Sequence, residues 1–213
     1  MEKDFKARLS TLTETIDGLK VITLAALQTL EREFNLSRRE AELAALEAGV
    51  LPRRYLRSYG TVGIEGQIKL LRSTVAVVGL GGLGGNVVEA LARMGVGRII
   101  AVDGDTFVDH NLNRQLLSEE ATLTRSKAEA ARARLAAINA AVEVVAHAVH
   151  LTPQNVEELL GGAALLPPTR PAQPSAVTGR TPVPMPVQRP GVSPVPRPPS
   201  PPGPSRACAE LRP

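Results

Sequence analysis

The segment Gly79-Leu80-Gly81-Gly82-Leu83-Gly84 satisfies G-x-G-x-x-G through Gly79, Gly81 and Gly84. It follows the apolar run TVAVV (74–78) and precedes a helical stretch, which is the context the motif needs. The first glycine permits a tight turn, the second lets a phosphate approach the backbone, and the third lets helix pack on strand. The helix start then offers free N–H groups and a partial positive charge to phosphates. Asp103 follows at the end of the next apolar run, where a carboxylate can accept hydrogen bonds from ribose hydroxyls. The glycines and Asp103 predict a nucleotide site but do not separate NAD, FAD and ATP. The next residues bear on that choice. Asp105, Asn111, Arg114 and Gln115 crowd a polar stretch just beyond the strand end, and Lys127 follows near the start of another helix. Arginine takes phosphate oxygens in fork geometry, and lysine serves as a point charge.

Buried strands and crossover helices must position these groups. TVAVV, RIIAVD (98–103) and VEVVAHAV (142–149) read as three buried parallel strands. The helices between them are predicted from about Gly84 to Met94 and from Arg125 to Asn139, the latter with Ala130, Ala133, Leu135 and Ile138 inward. Strand–helix alternation predicts an α/β fold with a Rossmann-like parallel sheet. A short helix is expected from Pro153, capped by Thr152. Residues 1–52 read as helical: Leu24, Leu27, Leu30 and Phe34 form a helix-period stripe, Ser37 and Glu40 a capping box, and Gly49 and Pro52 a stop. This N-terminal segment is expected to serve packing or dimerisation.

The chain has 213 residues and a net charge of +4, which invites a nucleic-acid reading. The charge is unevenly placed. Sixteen of the 18 prolines lie in 167–213, with six arginines and one acid, Glu210, a net of +5. Residues 1–166 carry −1, so no nucleic-acid partner is expected for the folded part. The Pro/Arg-rich tail, 165–213, is expected to be disordered or locally polyproline II. Its PxxP segments and Cys208 read as a structureless tail. One cysteine excludes an internal disulfide, and His110, His147 and His150 show no metal-ligand spacing. No apolar run is long enough to span a membrane, and MEKDFKARLS lacks the core of a signal peptide, so a soluble cytoplasmic protein is expected.

The glycine loop, Asp103-x-Asp105, Asn111-Leu112-Asn113-Arg114-Gln115 and Lys127 together resemble the ubiquitin-activating-like superfamily, nearest to the bacterial ThiF, MoeB and HesA adenylyltransferases. Arg54-Tyr55-Leu56-Arg57 and Gly66-Gln67-x-Lys69-Leu70 are similar to the start of that domain, and a partial domain is expected over 53–164. The resemblance implies ATP and Mg2+ as cofactors. It also implies adenylation of the C-terminal carboxylate of a ubiquitin-like or sulfur-carrier protein, with a close variant that acts on a small molecule or a tRNA base carboxylate. Gly81, Gly82 and Gly84 would then line the phosphates, with Gly79 opening the loop, and Asp103 would hold the ribose. Asn111, Arg114, Gln115 and Lys127 would contact the phosphates. Arg57 matches an arginine sent across a homodimer interface into the partner's site.

The pattern then departs from the family. The family's next buried strand ends in a magnesium-binding Asp, whereas residues 159–213 contain no aspartate and no cysteine pairs. A sheet edge beside the first strand is therefore expected to stay bare. The composition change near 165 matches an out-of-frame reading of GC-rich DNA, so a truncated product is expected. Two other readings stand beside the enzyme: an NAD(P)-dependent oxidoreductase, and a non-catalytic nucleotide-binding remnant.

Overall fold

The computed structural model describes residues 2–161 and 163–166. The expectations for residues 167–213 of the proline-rich tail and for Cys208 lie outside the described residues, while Leu165 and Leu166, expected to open that tail, belong to a strand instead.

The N-terminal segment corrects the all-helical expectation. Helix α1 (Glu2–Thr11) is followed by strands β1 (Glu14–Ile16) and β2 (Leu19–Ile22), an antiparallel hairpin. Its two-residue turn is Asp17-Gly18, both at positive φ (49° and 79°), as hairpins with the right-handed strand twist require. Helix α2 (Leu24–Phe34) starts at Thr23, whose side chain accepts the Ala26 N–H, and ends at Asn35 in the left-handed region. Helix α3 (Arg38–Glu47) carries the full Ser37/Glu40 capping box. Beyond Gly49, strand β3 (Leu51–Pro52) pairs parallel to β2. Phe5, Leu9, Leu27, Leu30, Ala41 and Ala45 form the core between the helices. The Phe5 and Phe34 rings meet edge to face at 5.2 Å.

A 3-10 turn (Arg53–Ser58) leads into helix α4 (Tyr59–Arg72), which kinks at Gly63. The parallel sheet follows: β4 (Thr74–Val78), helix α5 (Gly84–Met94), β5 (Arg98–Val102), helix α6 (Lys127–Ile138), β6 (Glu143–His147), helix α7 (Val156–Leu160) and β7 (Ala164–Leu166). The order is β6-β5-β4-β7. Both faces are apolar, which is why the strands read as continuous hydrophobic runs. Val77, Ile99 and Ala101 face Val88 and Ala92 of α5 and Leu135 of α6. Ala76, Ile100 and Val102 face the other way, toward Leu160 of α7.

Three further corrections belong to this sheet. The edge beside β4 is not bare, because Ala164–Leu166 pairs with Val75–Val77. The strand is too short to show a period of its own. Ala133 is exposed, and Ala128 and Ala131 are buried beside the expected Ala130 and Leu135, because alanines on every side of α6 blur the stripe. Thr152 does not cap α7. Asn155 occupies the N-cap position without a side-chain cap hydrogen bond, and its Oδ1 instead accepts the Thr152 N–H at 2.8 Å, closing the turn around Pro153.

Among the described residues, no helix is long and apolar enough to cross a membrane.

Candidate functional site

The glycine loop sits at the C-terminal ends of β4 and β5, where open α/β sheets bind ligands. Gly79 has φ 82° and donates its N–H to the Val102 carbonyl at 2.8 Å. Gly84 is buried at the start of α5. A Cβ there would stand 1.7 Å from the Gly79 carbonyl oxygen, so the loop closes on itself only with glycine. Gly81 and Gly82 are the approachable glycines, flanked by the polar segment that follows β5.

That segment is folded back onto the loop. A Cβ at Gly81 would lie 3.7 Å from Nε2 of Gln115, and one at Gly82 would lie 3.5 Å from the Arg114 carbonyl. The segment keeps this position through buried anchors. Phe107 is fully buried, and its backbone pairs with Thr124 and Arg125. Asn111 is 3% exposed, and its Oδ1 accepts the Val108 N–H at 3.1 Å. Thr124 has φ 68°, a strained setting for a β-branched residue, at the point where the chain turns toward α6.

Asp103 is half-buried and ties the parts together. One carboxylate oxygen accepts the Leu80 N–H at 2.7 Å, and the other accepts the Asp105 N–H at 2.8 Å. Each oxygen keeps lone-pair capacity for a further donor. Asp105 pairs with Lys127 at 3.0 Å, and Lys127 is 6% exposed at the first position of α6. Gln115 is buried with its Oε1 unpaired, an open acceptor beside the glycine loop. Arg114 is exposed and donates to the His110 carbonyl and, at 3.1 Å, to Asn113 Oδ1.

Arg57 does not join this group. Its turn is anchored at the other ends of the strands, where the Tyr55 hydroxyl donates to Glu42 at 2.9 Å and accepts from Asn139 Nδ2 at 3.2 Å. Gln67 Nε2 donates to the Met94 carbonyl at 2.9 Å. A Cβ at Gly95 would come within 2.7 Å of both Tyr55 and Gln67. Tyr55 and Gln67, which resembled the start of the family domain, thus act as a structural knot that sequence reasoning did not assign. Glu42 is fully buried, and burial pushes its carboxyl above the usual range against the opposing Tyr55 hydrogen bond and the Arg54 charge.

The glycine cradle fits a nucleotide, and the Gln115 amide nitrogen beside Gly81 offers N–H donors to its phosphates. A metal ion fits less well. Among the described residues there is no group of three or more His, Cys, Asp or Glu that could hold one. Asp103 and Asp105 are already engaged by backbone N–H groups and by Lys127.

The ThiF family model matches residues 55–166, more than half of the chain. The chain belongs to the ThiF family. The matched region takes in β4 through β7 and every candidate site residue. It is 42% identical over 99 residues to an adenylyltransferase and sulfurtransferase MOCS3 of Aedes aegypti, covering 46% of this chain and 23% of the relative. It is 42% identical over 105 residues to the tRNA threonylcarbamoyladenosine dehydratase of Bacillus subtilis, covering 49% of this chain and 41% of the relative. The crystal structure of the Escherichia coli tRNA N6-threonylcarbamoyladenosine dehydratase in complex with ATP superposes on this chain with a TM-score of 0.50 and 30% identity. That match covers 52% of this chain and 46% of that one. The chain spans less than half the length of these relatives.

Proposed function

We propose that this chain binds ATP across Gly79–Gly84 and adenylates a carboxylate presented by a ubiquitin-like or sulfur-carrier protein. The observation that carries the reading is the folding of Arg114 and Gln115 onto Gly82 and Gly81. A nicotinamide site has no need of that segment, and a triphosphate does. Asp103 holds the ribose with its remaining lone pairs. Gly81 and Gly82 admit the phosphates, the start of α5 faces them, and Arg114, Lys127 and the amides of Asn111 and Gln115 set their position. A carboxylate oxygen of the acceptor attacks the α-phosphorus, the bond to the bridging oxygen breaks, and pyrophosphate leaves with that electron pair. Positioning and charge neutralisation supply the catalysis. Magnesium would arrive with the nucleotide phosphates, and no step is routed through it. Arg57, remote from its own glycine loop, serves the site of a second copy in a homodimer. The setting is cytoplasmic.

ATP–pyrophosphate exchange tests the reading. Exchange is expected in the purified chain, stimulated by an acceptor protein with a free C-terminus. ATP binding without exchange would instead mark a nucleotide-binding remnant, and tighter binding of NAD than of ATP would overturn the proposal. A second reading, favoured by the 42% identity to the Bacillus subtilis dehydratase, takes the carboxylate from threonylcarbamoyladenosine in tRNA. Stimulation of exchange by modified tRNA rather than by a carrier protein would select it.

A further inference from the structure

We propose that the His150 imidazole walls the base side of the nucleotide site and stacks on the purine of ATP. This deepens the ATP reading above and rests on it. The starting observation is Gly104, the residue between Asp103 and Asp105. A Cβ on Gly104 would stand 2.6 Å from Cγ and Nδ1 of His150 and 2.7 Å from its Cδ2. The ring therefore lies directly against the bare backbone of Gly104, in space only a glycine leaves open. His150 is otherwise exposed.

The direction follows from the sheet. Asp103 reaches toward the β4 side through its carboxylate, which takes the Leu80 N–H of the glycine loop at 2.7 Å. On its other side its own N–H donates to the His147 carbonyl at the end of β6 at 3.1 Å. His150 follows β6 and so stands on the far side of Asp103 from the phosphates. A ribose carries its 5′ phosphates and its base at opposite ends. With the hydroxyls on Asp103 and the phosphates over Gly81 and Gly82, the base must point toward His150. The position is held rather than loose. Asn155 Nδ2 donates to the His150 carbonyl at 3.1 Å, and Asn155 Oδ1 accepts the Thr152 N–H at 2.8 Å. Histidine is among the side chains on which bases stack.

Calorimetry on the full chain tests the assignment. His150→Ala should weaken ATP binding roughly 5- to 150-fold, the range of one base–aromatic stack. His150→Phe should retain most of the affinity. Gly104→Ala, which leaves His150 in place but displaces its ring, should weaken ATP as His150→Ala does. Inorganic tripolyphosphate, which has no base, should compete equally well against each variant and the wild type. ATP affinity in His150→Ala within twofold of the wild type overturns the stack and leaves the ATP reading standing. An equal loss for tripolyphosphate also overturns it, since the defect would then lie in the phosphate site or the fold. A wild-type chain that binds no ATP overturns both.

Discussion

The carboxylate of Asp103 accepts the backbone N–H of Leu80 at 2.7 Å, joining the end of β5 to the middle of the glycine loop. The same side chain accepts the Asp105 N–H at 2.8 Å. Asp103 therefore sets the loop's shape as well as facing any ribose. Asp103→Ala should destabilise the chain by about 1.5–3 kcal/mol, the range for hydrogen bonds to a charged group. Urea denaturation measures this. Wild-type stability in the variant would mean that the loop holds its shape without Asp103.

The glycines divide by role, and alanine substitutions separate them. Gly84→Ala places a methyl 1.7 Å from the Gly79 carbonyl and should cost about 3 kcal/mol or more, because backbone must move. Gly81→Ala meets only the Gln115 amide at 3.7 Å, so the fold should survive while ATP affinity falls. Thermal unfolding with ATP titration on both variants checks the division. Equal stability of the two would refute it.

Arg114 is exposed and holds only local partners, so Arg114→Ala should shift stability by no more than about 0.5 kcal/mol. Pyrophosphate exchange should fall about 100-fold or more, the cost of removing one positioned charge-stabilising donor. Lys127 differs. It is buried against Asp105, and Lys127→Ala should lower both exchange and stability. Full exchange in Arg114→Ala would remove that residue from the site.

Two carboxylates give opposite pH signatures. Burial raises the Glu42 carboxyl above its ordinary value, so the folded chain holds that proton more tightly than the unfolded one. Its contribution is complete below the unfolded value, about 4.3, and is lost as pH rises through the raised value. Glu89 is lowered, first by the Arg93 hydrogen bond and then by Arg134. Its contribution is present above the ordinary value and is lost as pH falls through the depressed one. Glu42→Gln, which keeps an acceptor for Tyr55, should flatten the decline that sets in as pH rises above about 4.3, and Glu89→Gln the decline as pH falls below it. Urea midpoints across the pH range would show both, and an unchanged profile in either variant would count against that assignment.

The parts legible in the sequence are those where two signals coincide. β4, β5 and α5 combine continuous apolar runs with glycine punctuation, and their bounds fall where pattern and turn chemistry agree. The N-terminal hairpin was obscured because its strands, of three and four residues, lie between strong helix formers, although Asp17-Gly18 is a hairpin signal in its own right. Ala133 misled because alanine is at home on either face of a helix. At the site, residue types and spacing pointed to Gly81, Gly82, Asp103 and Gln115, which the fold brings together. They did not indicate that Asp103 is already engaged by backbone N–H groups. Nor did they indicate that Gly104 is small to make room for His150. The first depends on how β4 and β5 end side by side, the second on how β5 and β6 do.

The pairing of β7 with β4 has a kinetic consequence. Val75 pairs with Ala164 across the whole span of both crossover units, so this is the sheet's longest-range ladder. The loop-closure entropy of that contact falls due last, while β4, α5 and β5 can condense from nearby contacts. The cradle of glycines and Asp103 lies wholly within that early unit. The phosphate-facing half of the site can therefore take shape before the edge strand zips. Amide exchange should show the protection of β7 arriving later in refolding, and yielding earlier in denaturant, than that of β5.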